Sequence, residues 1–285
     1  MSKIIAVTGS SGFVGKHLCK ALRYNKNIVI EIDIEKGMDI EDASIFKSLT
    51  RYDYIIHLAA KSYVPDSYND PISFYKTNFI GTLNVLESAR NNNAKVIFLS
   101  SYLYGSPDYL PLDEHHKLKP HNPYAHSKIL AEKLCEAYYR DFNIPTTVFR
   151  PFNIYGDDQN PNFLIPTILN QIQSGNVKLQ DSKPKRDYIH VNDVVNAILL
   201  AISNKQHFCE KFNLGTGKSY SVSEIIEVIK KYTPTTFSVR YEEKTRKNEV
   251  LDCRADITKA KEFLNWEPQI DFQKGIKSLM EKILW

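Results

Sequence analysis

The chain has 285 residues, 42% apolar and 25% charged, which predicts a globular protein of one or two domains and excludes disorder, collagen and coiled coil. The chain has 37 Lys and Arg residues and 33 Asp and Glu residues, which gives a net charge of only +4. The basic residues form no cluster, so we expect no nucleic-acid partner. No apolar run approaches the length of about 18 residues that a membrane span needs, so we expect no membrane association.

The cysteines and the start of the chain favour a cytoplasmic protein. Four cysteines lie far apart, at Cys19, Cys135, Cys209 and Cys253. They form no Cys-x-x-Cys pair and no His/Cys zinc pattern, which is typical of reduced thiols and predicts no metal site. Residues 1–7 lead directly into a motif, so we expect no signal peptide.

The first half of the chain alternates apolar strands with helices. Strands are predicted at residues 4–7, 28–32, 54–58, 95–99 and 146–149. Helices are predicted between them at residues 13–24, 71–90 and 123–140. Unbroken apolar strands separated by helices are typical of a parallel sheet with both faces covered. The sequence therefore predicts an α/β fold with a doubly wound parallel sheet.

The pattern changes after Pro151. A polar stretch at 157–187 contains one helical segment, and a helix predicted at 191–202 returns to the sheet. Smaller helices are predicted at residues 219–232 and 258–266. We therefore predict a smaller C-terminal α/β lobe that binds the substrate. The sheet domain is expected to contain residues 1–153 and about 187–213, and the lobe residues about 154–186 and 214–285.

A glycine motif lies between the first strand and the first helix. Its spacing is Gly-x-x-Gly-x-x-Gly, in the segment Thr8 to Gly15. Gly9 permits a tight turn, Gly12 lets a pyrophosphate approach the helix N-terminus, and Gly15 lets the helix pack close to the strand. The motif predicts a dinucleotide site in a Rossmann-type sheet. The same loop adds three cofactor-binding candidates, Ser11, Phe13 and Val14.

An acidic residue after the second strand favours NAD. Asp33 stands where a carboxylate accepts hydrogen bonds from the adenosine ribose diol, and it would repel the extra phosphate of NADP. Glu31 and Lys36 lie close enough in sequence to keep NADP open as the less favoured alternative. Asp39 and Ile40, in the loop after this strand, are expected to bracket the adenine ring.

A tyrosine and a lysine one helical turn apart predict proton transfer. Tyr124 and Lys128 lie in the segment Tyr-Ala-His-Ser-Lys. A nearby Lys⁺ and an oxidised nicotinamide both favour the phenolate, which can then remove or return a hydroxyl proton. Ser100 and Ser101 end the fourth strand, at the sheet edge where ligands bind, and a serine hydroxyl there can bond the same substrate oxygen.

Together these residues resemble the extended short-chain dehydrogenase/reductase superfamily. The chain is most similar to its NAD-dependent nucleotide-sugar epimerase/dehydratase branch, which includes sugar 4-epimerases and 4-ketoreductases. Further segments match the branch in the same order, at residues 57–60, 77–82, 100–105, 150–156, 186–194 and 213–217. The resemblance implies a cytoplasmic homodimer, paired through the helices that begin near Pro71 and Pro123, that acts in cell-surface polysaccharide biosynthesis.

The resemblance also implies roles for individual residues. The catalytic residues would be Ser100, four positions before Tyr104, with Tyr124 and Lys128. Arg186 and Arg246 would hold a substrate diphosphate. Other cofactor-binding positions would be Leu58, Ala59, Ala60, Asn78 and Pro151, with Ser100, Tyr124 and Lys128. The substrate-binding positions would be Ser62, Ser101, Tyr102, Tyr124, Asn153, Arg186, Arg246 and Glu249.

Three reactions share this set of residues. Dehydratases of the family carry Asp-Glu directly after the catalytic hydroxyl, and Ser101 and Tyr102 stand there instead, so 4,6-dehydration is disfavoured. The short chain is typical of NAD(P)H-dependent 4-keto-6-deoxysugar reductases, whereas Asp33 favours NAD and a 4-epimerase that passes through a 4-keto sugar. We favour the epimerase, with the reductase as the alternative. A non-catalytic dinucleotide sensor is disfavoured because the catalytic positions are intact, and the nucleotide base and the sugar stay open.

Overall fold

The computed structural model of the chain describes residues 2–49, 51–204, 209–244 and 249–283. Its strands are β1 (Ile4–Thr8), β2 (Ile28–Ile32), β3 (Tyr54–His57), β4 (Lys95–Leu99), β5 (Thr146–Pro151), β6 (Asn153–Tyr155), β7 (Asn176–Leu179), β8 (Lys185–His190), β9 (Lys211–Leu214), β10 (Ser219–Ser221) and β11 (Ser238–Tyr241). Its α-helices are α1 (Phe13–Tyr24), α2 (Val64–Asn69), α3 (Pro71–Tyr75), α4 (Gly81–Asn92), α5 (Pro123–Phe142), α6 (Leu164–Ile172), α7 (Val191–Ser203), α8 (Val222–Tyr232), α9 (Thr258–Leu264) and α10 (Phe272–Ile283).

The central sheet is parallel and doubly wound, which confirms the predicted fold class. Its strand order across the described residues is β2-β1-β3-β4-β5-β9. The chain leaves β1 toward β2 on one side and continues from β3 toward β9 on the other. In such sheets, ligands bind at the carboxyl ends of the strands where the winding direction changes. Here that point lies between β1 and β3, beside the glycine loop.

Alternating side chains of β1 anchor two apolar cores, one on each face of the sheet. Ile5 and Val7 pack in the same cluster as Leu18 of α1. Ala6, which points to the opposite face, packs in a cluster with Val85 and Leu86 of α4. Burying each large aliphatic side chain contributes about 1.5–3 kcal/mol. Helices are therefore required on both faces of the sheet. They fix the positions of the strand ends and of the candidate site.

The second half of the chain builds a core of its own. Strands β10, β8 and β6 form a small sheet, and β11 pairs with β7. Helices α6, α8 and α10 cover them with an apolar cluster that contains Ile168, Ile225 and Ile276. The Asp193 carboxylate accepts the backbone N–H groups of Gln269 at 2.9 Å and of residue 270 at 3.1 Å, which ties α7 to the segment before α10.

Two predicted helices differ from the structure. The helix predicted at 71–90 is divided into α3 and α4 by a π-helical turn, Lys76–Ile80. The helix predicted at 219–232 begins as the strand β10, and α8 starts only at Val222. Ser221 caps α8, and it exchanges hydrogen bonds with Glu224 in a capping box that sets the helix start.

Strand β2 forms the outer edge of the central sheet. In the described part of the chain, two short 3₁₀ turns, Ile34–Lys36 and Ala43–Ser48, follow it, and no strand pairs with its outer side. Ile28 at the start of this strand is 57% exposed. The chain therefore reaches β3 by a compact path that leaves the edge of the sheet open.

Candidate active site

The glycine loop forms a close-packed anion site at the start of α1. Gly9 has a φ of 71°, and a Cβ there would lie 2.7 Å from the Ala59 nitrogen. A Cβ on Gly15 would lie 2.0 Å from the Gly9 carbonyl oxygen, so only glycine allows α1 to approach the loop. Gly12 is the N-cap of α1, and no side chain caps this end of the helix. The Gly12 N–H donates to the Gly9 carbonyl oxygen at 3.1 Å, so the N–H groups of the first turn after Gly12 are the ones suited to a phosphate, and the loop fits a dinucleotide.

Asp33 is held rigidly at the end of β2. Its side chain accepts the Ser11 N–H at 2.9 Å and the Glu35 N–H at 3.0 Å, and the residue is 8% exposed. Glu31 forms ion pairs with Arg23 and with Lys36, the latter at 2.7 Å. Because Lys36 is paired in this way, the residue most able to bind the extra phosphate of NADP is turned toward Glu31.

We expect the protein to bind NAD at least about tenfold more tightly than NADP, because the Asp33 carboxylate would face the added phosphate. Asp33→Ser should lower the ratio of the NADP Kd to the NAD Kd, whereas Lys36→Ala should leave this ratio unchanged. Calorimetric titration of both cofactors measures the ratio directly. Equal or tighter binding of NADP by the wild type would contradict the assignment of Asp33 to the ribose.

A buried histidine fixes the loop between β3 and α2. The His57 ring lies between the hydroxyls of Thr8, 2.7 Å from Nδ1, and Thr82, 2.9 Å from Nε2. Thr8 also accepts the Ala59 N–H at 3.2 Å. Burial, together with the charge of Lys128, lowers the pKa of His57 to about 3. The cofactor candidates of this loop that line the cleft are Leu58, Ala59 and Ala60.

The His57 shift predicts a loss of stability in acid. The unfolded state binds a proton near pH 6.5, while the folded state keeps His57 neutral, so the free energy of unfolding falls as the pH falls through this window. The expected loss from His57 between about pH 8 and pH 5 is about 2 kcal/mol. Urea unfolding across this range should show that the free energy of unfolding depends less on pH in His57→Asn than in the wild type. The control His115→Asn, at an exposed position, should show the same pH dependence as the wild type. Parallel curves for wild type and His57→Asn would contradict it.

Asn78 joins the cofactor loop to the catalytic helix. It exchanges hydrogen bonds with the backbone of Lys61 at 2.9 and 3.0 Å and donates to the Ser127 hydroxyl at 2.9 Å. The residue is 1% exposed, and these bonds direct its amide toward protein groups. The structure therefore places this cofactor candidate where it supports the loop. Ile40, which packs against Gly81, lines the cleft together with Asp39 and Pro151.

The helix that carries Tyr124 and Lys128 begins at the edge of the cleft. Asn122 caps it by accepting the Ala125 N–H at 2.8 Å. Lys128 donates to the Leu99 carbonyl oxygen at 2.7 Å. Burial lowers the pKa of Lys128 to about 7, and the charge of Glu132 opposes that shift. Burial raises the pKa of Tyr124, and a hydrogen bond with Ser101 opposes that shift.

The two serines at the end of β4 have different partners. The Ser100 hydroxyl donates to Glu132 Oε1 at 2.5 Å, in the protein interior. Ser101 is the serine whose side chain lowers the pKa of Tyr124, against the effect of burial, and both residues line the cleft. The sequence places the catalytic hydroxyl at Ser100, with Ser101 as its neighbour, and the structure gives the contact with the tyrosine to the second serine. Glu132, which sequence reasoning missed, lies one turn after Lys128, and that spacing is the signal that would have found it.

The substrate candidates of the second half gather across the cleft. Arg186 pairs with Glu249 and donates to the Val250 carbonyl oxygen at 2.5 Å. Asn153 accepts a hydrogen bond from the Tyr102 hydroxyl at 3.0 Å. Ser62 lines the same cleft from the other side. Arg246, the second predicted phosphate ligand, lies outside the described residues.

One cleft connects these groups. It has a volume of about 1720 Å³ and runs from the glycine loop, past Tyr124, to Arg186 and Glu249. A pocket for one small ligand usually measures roughly 300–1,000 Å³, so this cleft has room for a dinucleotide and a second ligand together. Within the described residues, no His/Cys/Asp/Glu group is arranged to hold a metal ion, and no helix is long and apolar enough to cross a membrane.

A doubly wound sheet with a glycine loop at a helix N-terminus, an acidic residue after β2 and a Tyr/Lys pair is typical of a dinucleotide-dependent enzyme. The family model described as NAD dependent epimerase/dehydratase family matches residues 5–215. The chain belongs to this NAD-dependent epimerase/dehydratase family.

Individual relatives cover almost all of the chain. UDP-glucose 4-epimerase of Thermotoga maritima, solved with UDP-glucose, is 32% identical, with a TM-score of 0.93 over 99% of this chain and 100% of that one. UDP-glucose 4-epimerase of Lactobacillus helveticus is 32% identical over 93% of this chain and 92% of its own. GDP-6-deoxy-D-talose 4-dehydrogenase of Aggregatibacter actinomycetemcomitans is 37% identical over 79% of this chain and 78% of its own.

Proposed function

We propose that the protein is an NAD-dependent 4-epimerase that interconverts UDP-glucose and UDP-galactose. The observation that carries this proposal is that Tyr124, the glycine loop and the Arg186–Glu249 pair all line one cleft. An arginine there suits the diphosphate of a nucleotide sugar, since a guanidinium binds phosphate in forked geometry. The two UDP-glucose 4-epimerases that resemble this chain over nearly its full length support uridine as the base.

Each residue has a separate role in the proposed reaction, which follows from its position in the cleft. The α1 N-terminus would hold the cofactor diphosphate, and Asp33 would hold the adenosine ribose diol. NAD bound there would supply reversible hydride transfer at the sugar carbon. Tyr124 takes the proton of the 4-hydroxyl group as the keto sugar forms, and it gives the proton back when the sugar is reduced from its other face. Lys128 and the serine hydroxyl beside the tyrosine stabilise the phenolate.

The test is incubation of the purified protein with UDP-glucose, UDP-galactose and their N-acetylated forms, followed by NMR of the products. We expect interconversion of UDP-glucose and UDP-galactose with no net consumption of NAD, since the hydride is returned to the sugar. No interconversion of any of these nucleotide sugars would contradict the proposal.

The second candidate is reduction of a nucleotide 4-keto-6-deoxysugar. It is favoured by the similarity to the GDP-6-deoxy-D-talose 4-dehydrogenase, because that reaction would use the same tyrosine, lysine and serine. A reductase consumes one reduced cofactor for each turnover, so the loss of NADH or NADPH absorbance on a keto sugar separates it from an epimerase. A 4,6-dehydratase stays disfavoured, since Asp-Glu follows neither serine: Ser101 and Tyr102 follow Ser100, and Tyr102 and Leu103 follow Ser101.

We further propose a homodimer, paired through α3 to α5. Ile72, Ile80 and Leu130 on these helices are 67%, 39% and 40% exposed, and large apolar side chains at such exposure favour a partner surface. Light scattering at micromolar concentration should give a dimer for the wild type and a monomer for Leu130→Glu. Phe263→Glu, a matched change at a 45% exposed position on α9, should stay dimeric. A monomeric wild type would contradict the prediction.

The remaining assignments are proposed on narrower grounds. The cysteines are free, with Cys19, Cys135 and Cys253 buried, which supports a reducing compartment such as the cytoplasm. A nucleotide sugar is an activated glycosyl donor, which supports a role in supplying cell-surface polysaccharide. We also keep the division into a domain of residues 1–153 with about 187–213 and a lobe of about 154–186 with 214–285, which the separate apolar cluster of the second half supports.

A further inference from the structure

Glu132 is a buried carboxylate at the centre of a hydrogen-bonded network behind the active site. It is 2% exposed, and Arg150, also 2% exposed, donates to both of its oxygens, at 3.0 and 2.6 Å. Arg150 in turn donates to the Tyr104 hydroxyl at 3.2 Å, which donates to Asn213 at 2.5 Å. The network therefore connects the catalytic helix α5 with β5, β9 and the segment after β4.

Stability alone does not account for this carboxylate. Replacing a buried ion pair with well-packed apolar residues is often neutral or stabilising, because the desolvation of two charges offsets their attraction. The position of Glu132 does have a local effect at the active site. It accepts the Ser100 hydroxyl at 2.5 Å and lies one turn after Lys128 on the same helix, where its charge supports the ammonium form.

The bond to Ser100 decides which serine faces the cleft. The two serines directly follow β4, which ends at Leu99, and successive side chains of a continuing strand would point to opposite sides. Once Glu132 holds the Ser100 hydroxyl in the interior, the Ser101 hydroxyl is directed toward Tyr124. The Ser100 backbone is fixed, since its N–H donates to the Phe149 carbonyl oxygen at 2.7 Å and so extends the pairing of β4 with β5 by one residue.

We propose that Glu132 is a positioning residue of the reaction, which takes up the Ser100 hydroxyl so that Ser101 presents the reacting hydroxyl beside Tyr124. Ser101 is then the catalytic serine, because both serines line the cleft with Tyr124 but only the Ser100 hydroxyl is taken up by Glu132. Ser100 and Glu132 act through it. This inference rests on the proposed function only in that a turnover assay is one of its readouts.

The two adjacent serines provide a matched pair of variants. Ser101→Ala should lower kcat on the order of 100-fold with KM within about threefold, because the hydroxyl acts mainly in the transition state. The loss of kcat in Ser100→Ala should be at least tenfold smaller, with its main effect a fall of several degrees in Tm. Ser101→Thr should recover most of the lost kcat, since threonine keeps the hydroxyl.

Glu132 is tested against a second glutamate on the same helix. Glu132→Gln should lower kcat about tenfold, with KM within about threefold, in protein shown to be folded by circular dichroism. Glu136→Gln, one turn further on and exposed, should keep the wild-type kcat. If Glu132→Gln does not fold, the serine pair still decides the inference, because those substitutions remove one hydroxyl each.

The outcomes separate the inference from the proposed function. A kcat loss that is larger in Ser100→Ala than in Ser101→Ala, or equal in both, would overturn the assignment of Ser101. A folded Glu132→Gln with the kcat of the wild type would overturn the role of Glu132. Wild-type protein that converts none of the nucleotide sugars tested would contradict the proposed function. The serine and Glu132 variants would then be compared by the rate of keto-sugar reduction, where the same order of losses is expected.

Discussion

Replacing Tyr124 by phenylalanine should abolish nearly all turnover while leaving the substrate bound. The phenol is the group that takes and returns the proton of the sugar hydroxyl, and its loss should lower kcat by roughly 10²–10⁴-fold. The Kd for UDP should change by less than about threefold, because the phenol acts on the reacting centre and the nucleotide is held elsewhere in the cleft. Steady-state kinetics and calorimetric titration with UDP measure the two quantities separately.

A second tyrosine of the same cleft serves as the control. Tyr68 lines the cleft, is 59% exposed and donates to the His121 carbonyl oxygen at 3.2 Å, so Tyr68→Phe removes a hydroxyl that has no proposed role in proton transfer. Its kcat should be close to that of the wild type. A Tyr124→Phe variant that keeps most of its kcat would place the base on another residue and contradict the mechanism.

Replacing Arg186 by alanine should weaken the binding of every nucleotide sugar by about 10-fold to 100-fold. Charge-assisted hydrogen bonds to a phosphate are worth roughly 1.5–3 kcal/mol, and the loss should be similar for different sugars because the diphosphate is the group held. Cofactor binding should hardly change, since the glycine loop lies at the other end of the cleft. Calorimetric titration with UDP, which lacks the sugar, gives the effect directly.

Two variants sharpen the test of Arg186. Arg186→Lys should recover only part of the affinity, because lysine carries the charge without the forked geometry. Lys185→Ala removes a neighbouring cation that is 44% exposed and lies 3.7 Å from Glu224, and it should leave the UDP affinity unchanged. An unchanged Kd for UDP in Arg186→Ala would remove the main support for a nucleotide-sugar substrate.

Regular apolar patterns predicted much of the central fold. The helix at 13–24 and the strands at 28–32 and 95–99 have the predicted bounds, because each is a local run of apolar residues with clear ends. The break at 76–80 was not predictable in the same way. A π-helical turn lies within an otherwise helical segment and has no residue type of its own that marks it, so the sequence predicts one continuous helix there.

The site depends more on distant contacts than the fold does. A count back from Tyr104 selects Ser100 as the catalytic serine, but the direction of each serine depends on Glu132, 32 residues away in sequence. The pairing of Arg186 with Glu249 joins residues 63 positions apart. Local spacing together with the family resemblance predicted which side chains belong to the cleft, whereas their partners depend on how α5 and the second half pack.

The open edge of β2 affects how separate molecules meet in concentrated solution. An unpaired edge strand offers backbone N–H and C=O groups that can pair with a strand of another chain and start aggregation. Here the strand has only 5 residues, and Glu31 near its end is flanked by Arg23 and Lys36. A second molecule joining this edge would have to desolvate those charges, which makes the contact unfavourable. Salt screens exposed charges, so this protection against aggregation is weaker at high ionic strength.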